Sequence, residues 1–426
     1  MHAFILALCF TSASAATLDL ETGAELAEAQ ALDATSAAFD LRRMEISQRS
    51  TDLNWSPNVS LNASGQGSLG RTFSEQLGTN ITEPVASMSA SVTASMPLYQ
   101  GGALSAQRDA AEAQVQAAQQ DQQQTVLDLR WLVADWLLQI EQNSDQVLVY
   151  QAALEADRAL LAQVEIQVEG GKRTKADLYA QQAVVSGRLA SLASADQALQ
   201  EAQLSLLSLL RVQEQEGWDF EAPPQLPQQG EASALIGQAL AQRPNLQAAE
   251  EQLQVALAQE RAAKGGYRPS LSLGAGSSTA WLSSNPDPIA DQLEGQNRNW
   301  ASVDLRVPLL DGGVRRATVD TASVAVQEAQ LAQQRWVDQV SLSIRVLLAE
   351  QEAAQAYLQA SVAAAESASQ AVSVLELRYG QGAETLVSLT QARSALVDAE
   401  LQRAWAEGAL QRVRYQLAWT TGALLT

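Results

Sequence analysis

The sequence has a single histidine, a single cysteine, few aromatic residues (5%) and a shortage of basic side chains, 27 Lys+Arg against 48 Asp+Glu. Each shortage removes a class of function. The histidine, His2, and the cysteine, Cys9, both lie in the first sixteen residues, which read as an export leader. The rest of the chain therefore has no histidine general base, no Ser-His-Asp triad, no histidine-bound metal and no thiolate cluster or disulfide framework. A net charge of −21 argues against nucleic acid, whose phosphates need a basic surface. Catalysis, a cofactor and a metal site are all unexpected. After residue 16 no run approaches the ~20 apolar residues of a spanning helix.

The leader reading rests on residues 3–16, AFILALCFTSASAA, an apolar core followed by small residues. Ala13-Ser14-Ala15 fits the A-x-A cleavage pattern, which makes 1–16 a signal peptide and the protein an exported one.

What the chain has is repetition. Pro97-Leu98-Tyr99-Gln100-Gly101-Gly102 returns as Pro308-Leu309-Leu310-Asp311-Gly312-Gly313, an offset of 211 residues. Gly171, Thr174 and Leu178 pair with Gly382, Thr385 and Leu389 at the same offset. A constant offset over such a span indicates a duplicated architecture. The first repeat covers 17–210, the second 231–426. Between them 211–230, with Trp218, Pro223, Pro224 and Pro227, breaks the pattern and reads as an irregular equatorial segment.

Between Gly102 and Gly170 there is neither proline nor glycine. Val126, Val133, Ile140, Val147, Leu154, Leu161 and Val168 form a strict seven-residue series, joined three residues on by Leu129, Trp136, Tyr150 and Val164. These are a/d heptads, which predict a supercoiled helix over 103–168, about 100 Å long at 1.5 Å per residue. Its counterpart is expected over 313–379. The reversals 169–174 and 380–384 should form tips, with return helices over 175–210 and 385–420. Further helical stretches are expected over 19–53 and 231–264.

Elsewhere the period is two. Met88, Ala90, Val92, Ala94 and Met96 alternate with Ser87, Ser89, Ser91, Thr93 and Ser95. Similar alternation predicts strands at about 57–67, 85–97, 269–281 and 299–308, of the length of a tilted membrane strand. Trp55, Trp281 and Trp300 lie near strand ends, where interfacial aromatics are expected. Four strands do not close a barrel, and lipid does not tolerate open edges, so a membrane barrel here must be shared between chains. Small polar inward faces favour a water-filled lumen and three chains over two. The alternation alone is equally consistent with a soluble sheet, which leaves a periplasmic or surface coiled-coil interaction protein as the alternative. Gly65-Gln66-Gly67-Ser68-Leu69-Gly70 matches G-x-G-x-x-G but precedes a polar loop, and a glycine-rich strand end fits better than a dinucleotide turn.

With these motifs in hand the chain resembles the TolC-like outer-membrane efflux and export channels. The similarity is carried by the duplicated Pro-Leu-x-x-Gly-Gly, by Gly171-x-Arg173-Thr174-x-x-Asp177-x-Tyr179, and by Arg378-Tyr379-x-x-Gly382 followed by Leu389-x-Gln391-Ala392-Arg393. It implies a homotrimer with a 12-stranded barrel in outer-membrane lipid, continued by a coiled-coil α-barrel through the periplasm. It also implies docking on a periplasmic adaptor and an inner-membrane pump, proton-driven or ABC type. By the same resemblance Gly170, Gly171, Lys172, Arg173, Thr174, Asp177 and Leu178 form the first docking tip. Tyr379, Gly380, Gly382, Glu384, Thr385, Leu386, Ser388, Leu389 and Gln391 form the second tip and the aperture. Pro97, Gly101, Gly102, Pro308, Gly312 and Gly313 mark the strand-to-helix junctions. The family often places an arginine two residues after the second tip's glycine, and acids one turn apart that narrow the pore. Here Glu384, Ser388 and Gln391 stand there, which implies a differently gated aperture. Lys172, Arg173 and Lys175 make a small basic cluster suited to an acidic adaptor surface.

Overall fold

The computed structural model describes residues 17–74, 78–82, 84–212, 218–228, 230–283, 285 and 287–425. The expected signal peptide, 1–16, lies outside them. The chain divides into two units. One comprises Met1–Phe39, Gln120–Gln247 and Arg335–Thr426; the other comprises Asp40–Gln119 and Ala248–Gln334.

The chain opens with β1 (Thr17–Leu18), α1 (Leu20–Gln30), α2 (Leu32–Asp52), β2 (Asn58–Ser68), β3 (Thr72–Ser74), β4 (Thr79–Ile81), β5 (Val85–Gln100), α3 (Ala103–Glu169) and α4 (Lys175–Leu210). After β6 (Asp219–Phe220) the second half repeats the plan. It contains α5 (Ala232–Gln242), α6 (Pro244–Gly265), β7 (Ser270–Leu282), α7 (Ile289–Gly295), β8 (Arg298–Arg306), α8 (Val314–Gly380) and α9 (Leu386–Thr421). The two long helices have 67 residues each and the two return helices 36 each, so the duplication holds to the residue. None of the described helices is long and apolar enough to cross a membrane.

The structure refines the expected elements at several points. The single helix expected over 19–53 is two, because Ala31 is extended (ψ 143°). The stretch over 231–264 splits at Arg243 (ψ 121°), where the following Pro244 excludes the helical region for the residue before it. β5 runs past Pro97 to Gln100, with a register shift between Pro97 and Tyr99; proline has no N–H for the ladder, and the bulge absorbs the gap. β8 ends at Arg306, so Pro308 lies outside it. The equatorial segment holds a two-residue strand: β6 pairs in parallel with β1, joining Thr17–Leu18 to Asp219–Phe220. The strand-linking segments carry a β3–β4 hairpin and the short helix α7.

In the unit built from Asp40–Gln119 and Ala248–Gln334, the four long strands form one antiparallel sheet in the order β2-β5-β7-β8. Register separates its two faces. One carries Val59, Leu61, Ala63, Met88, Val92, Leu273, Ala275, Trp281 and Val303; the other carries Ser60, Ser64, Ser89, Thr93 and Ser302. On the serine face Ser60 and Thr93 share a hydrogen bond of 2.9 Å, and Ser64 and Ser89 one of 2.8 Å. Most of the apolar face is left open, with Leu61 72% and Met88 60% exposed; at its loop end α7 lies against it, where Thr279 donates to the Leu293 carbonyl (2.6 Å). Both outer strands, β2 and β8, are edges. A sheet with a largely exposed apolar face and two open edges needs lipid on that face and further strands at its edges.

Trp300 departs from expectation. It stands opposite Gly276, on the serine face, not the apolar one. Its indole lies over Gly274 and Gly276, where an added Cβ would come within 3.0 Å and 2.7 Å of the ring. The expected membrane-interface aromatics therefore reduce to Trp55, in the turn before β2, and Trp281, which pairs with Met88 at the loop end of the apolar face.

In the other unit the core is helical. Leu129, Val133, Leu137 and Ile140 of α3 pack with Ala202, Leu206 and Leu210 of α4 and with Leu18 and Ala27. Leu235 and Ala239 of α5 pack with Val340, Ile344 and Leu347 of α8 and Leu417 of α9. The equatorial segment is tied down where Tyr415 donates to the Pro224 carbonyl (2.7 Å) and Arg414 to that of Leu226 (2.8 Å). Burial pushes the Tyr415 phenol up to about 12, so it stays a neutral donor.

Candidate functional site

Both long helices end in the same turn. At the first tip Lys172 N–H donates to the Gln167 carbonyl (2.8 Å) and Gly171 N–H to that of Val168 (3.0 Å). At the second, Ala383 N–H donates to Arg378 (2.9 Å) and Gly382 N–H to Tyr379 (3.0 Å). This is the Schellman closure, whose C′ residue is left-handed. Gly171 (φ 67°) and Gly382 (φ 75°) supply it, which gives the conserved-offset glycines a physical reason. Gly170 and Gly380 lie one and two residues before their C′ glycines, at the ends of the long helices.

The next helices then start on threonine caps. Thr174 Oγ1 accepts from Asp177 N–H (3.3 Å) while the Asp177 carboxylate accepts from Thr174 N–H (3.1 Å), a reciprocal capping box. Thr385 Oγ1 accepts from Ser388 N–H (3.1 Å), and its own N–H donates to the Glu384 carboxylate (3.1 Å). The backbone hydrogen bond from Thr174 holds the Asp177 carboxyl below its ordinary range, aided by the Thr174 hydroxyl and Arg173. The backbone hydrogen bond from Thr385 does the same for Glu384, with Ser388 and Arg378 adding to it. Arg378 stands 3.8 Å from Glu384. Both tip acids are therefore folded back into their own turns.

The tips are joined. Tyr379, Leu386 and Leu389 pack on Leu160 and Val164, with Val168, Leu178 and Leu375 at the margin. The Arg173 guanidinium lies 4.7 Å from the centre of the Tyr379 ring and donates to the Glu384 carbonyl (3.4 Å). The Tyr379 hydroxyl donates to Gln167 Oε1 (3.3 Å), and burial raises its pKa, with Asp177 adding to the shift against the opposing Arg173. Lys172 and Lys175 stay exposed beside Arg173. Ser388 is half-buried and Gln391 exposed.

A polar layer below the tips was not legible as a site. Asp157 of α3, 3% exposed, pairs with Arg188 of α4 (3.2 Å) and stands 4.0 Å from Arg393 of α9. Arg393 also pairs with Glu376 of α8 and donates to the Ala156 carbonyl (2.8 Å). Gln181 Nε2 donates to the Asp157 carbonyl (3.1 Å). A residue about four turns back along α3 behaves alike: Asn143 donates to the Ala198 carbonyl (3.0 Å). Asn143 and Asp157 occupy the two positions missing from the d series of the first long helix. A gap in a heptad was the available signal, since polar residues at such positions fix register.

At the junctions Gly101 (φ 65°) passes so close to the Gly265 carbonyl and Arg268 that no side chain fits. The second junction is open around Gly312 and Gly313 and is held instead by Asp311, which accepts from Gly313 N–H (3.1 Å) and Arg315 N–H (2.8 Å). Gly65 and Gly67 of the G-x-G-x-x-G stretch lie within β2, with no helix following. Among the described residues no group of three or more His, Cys, Asp or Glu is placed to hold a metal ion.

The sequence profile described as Outer membrane efflux protein matches residues 23–210 and 235–423, one match per repeat. The chain is 26% identical over 393 residues to the pyoverdine export outer membrane protein OpmQ of Pseudomonas putida, a match covering 91% of this chain and 82% of the relative. Among solved structures, CusC superposes with a TM-score of 0.80 at 19% identity, covering 97% of this chain and 95% of CusC. The outer membrane protein VceC of Vibrio cholerae superposes with a TM-score of 0.78 at 18% identity, covering 95% and 96%.

Proposed function

The chain belongs to the outer membrane efflux protein family, and from that premise we propose that its paired tips are the surface on which a periplasmic adaptor docks. Membership makes it an outer-membrane channel with a periplasmic helical extension, a passive exit duct in a family of channels, not of enzymes. The fold is that of trimeric channels in which four strands per chain contribute to a shared 12-stranded barrel. The name of OpmQ refers to pyoverdine; in the present reading cargo is chosen by the inner-membrane pump, and the duct supplies the exit.

The docking proposal is carried by the Arg173 bridge. It locks two identical reversals into one end surface while leaving Lys172 and Lys175 in solvent. That surface is basic in an otherwise acidic chain and suits an acidic adaptor tip. The same bridge serves as the latch of the aperture in this chain, since Glu384 and Asp177 are occupied by their own caps. A photo-cross-linking residue at Lys172 or Lys175 should trap the adaptor in cells exporting cargo. Full export with no cross-link at either position, and none lost when both lysines become glutamate, would refute docking here. Arg173→Ala should raise single-channel conductance several-fold in planar bilayers; unchanged conductance would remove the latch role.

A further inference from the structure

The four long strands hold only three charged residues, and all three stand on one strand and one face. β2, β5 and β7 carry none, whereas β8 carries Arg298, Asp304 and Arg306. Register puts them with Trp300 and Ser302 on the serine face, opposite Ser278, Ser272, Ser270, Gly276 and Gly274. The strand thus draws a single stripe, Arg-Trp-Ser-Asp-Arg, across a neutral hydroxyl wall.

The stripe is built rather than incidental. Two glycines of β7 receive the Trp300 indole, because any Cβ at Gly274 or Gly276 would collide with it. One ring face is seated on backbone, yet the residue is 40% exposed, so the other face is offered to whatever fills the space beside the wall. Asp304 is engaged by the Ser302 hydroxyl (2.8 Å) and has Arg306 as its neighbour on the same face. Arg298 has no ion-pair partner among the described residues and stands two residues from Trp300, about 7 Å along the strand. The nearest strand carboxylate, Asp304, is about 20 Å from it. A fixed aromatic plane next to an unpaired guanidinium is a recognition pair for a flat ring bearing an anionic group: the ring stacks and the guanidinium pairs with the charge.

We propose that the Arg298–Trp300 pair on β8 is a transit subsite for planar aromatic anions on the lumen wall of the barrel. The inference rests on reading the serine face as the lumen side, which follows from the apolar face meeting lipid. The stripe carries a net positive charge in a chain of net charge −21, so the barrel wall and the whole molecule have opposite preferences. Three copies in a closed barrel would present three such stripes.

The full-length protein reconstituted in planar bilayers tests this. 2-Naphthalenesulfonate, cyclohexanesulfonate and N-methylquinolinium, added on the barrel side, separate ring from charge. The naphthalenesulfonate should block at a concentration about tenfold lower than the other two. Trp300→Leu should abolish that advantage, Trp300→Phe should keep most of it, and Arg298→Gln should weaken block by the anion while sparing the cation. Trimer migration on gels checks that each variant assembles. Equal block by all three probes, or block unmoved by Trp300→Leu in an assembled trimer, overturns the subsite alone. A protein that inserts yet never conducts overturns the duct reading and the subsite with it.

Discussion

The first and second tips, 211 residues apart, close with the same two hydrogen bonds and restart on the same threonine cap, yet they rest on different material. In the second tip Tyr379, Leu386 and Leu389 are at most 3% exposed. Their counterparts in the first, Val168, Lys175 and Leu178, are half-buried or in solvent. The second tip is driven into a core with Leu160 and Val164, and the first lies over it, reaching across with Arg173. Duplication has kept the backbone solution and let the side chains diverge. The turn is a fixed cost that both repeats meet alike, whereas packing and charge differ with position.

Truncating the core should separate the tips most. Tyr379→Ala removes a buried ring and its hydroxyl contact and should cost about 3–5 kcal/mol; Val168→Ala, at the matching site, should cost about 1 kcal/mol. Hydrogen exchange of the tip amides reads both as local opening free energies. Equal losses would break the asymmetry. Next in size, Gly171→Ala and Gly382→Ala should each cost about 1–2 kcal/mol for a left-handed residue. Nothing lies within 4 Å of either Cβ position, so the two losses should match; a large difference would mean that the turns are not equivalent.

Much of this organisation was legible in the chain itself. The long helices, return helices and tips fall where glycine, proline and the heptads place them, because each of those signals acts over a few residues. What was hidden depended on distant partners. Nothing local announces that Thr17–Leu18 pairs with Asp219–Phe220, some two hundred residues on. Arg173 carries no mark of its reach to Tyr379, which is made by two helix pairs meeting. Trp300 is the instructive case. Nearness to a strand end suggests a lipid interface, while its parity with Ser302 and Asp304 assigns the opposite face. Parity prevails because a pleated strand has no means of turning one side chain through the sheet, and Gly274 and Gly276 give the ring its seat. Asp157 and Asn143 were likewise visible only as gaps in a heptad, since their partners lie on other helices.

The caps provide a smaller comparison. Thr174→Ala and Thr385→Ala should each cost about 1 kcal/mol, and the two losses should match. Each loses its hydroxyl's acceptance from the third helical N–H and one side-chain contact, to Asp177 (2.8 Å) or Ser388 (2.8 Å), while the residue-174 N–H still holds Asp177.

The smallest effect is the most discriminating, because the two tips reach the same acid sensitivity by different residues. Asp177 sits at the third helical position of α4, whereas Glu384 sits just before the Thr385 cap and Ser388 holds the place of Asp177. Both carboxyls are held below their ordinary values, each first by a backbone N–H. A depressed pKa means that the folded tip favours the ionised form. The stabilisation is therefore complete above the ordinary carboxylate range and is lost as pH falls through the depressed value. Both tips should open more readily below about pH 4, seen as faster exchange at the Asp177 and Ser388 amides after correction for intrinsic rates. Asp177→Asn should flatten that response at the first tip alone, and Glu384→Gln at the second alone. If Asp177→Asn flattened both, the Arg173 bridge would be transmitting the protonation of one tip to the other, and the two turns would be one titrating unit rather than two copies of the same device.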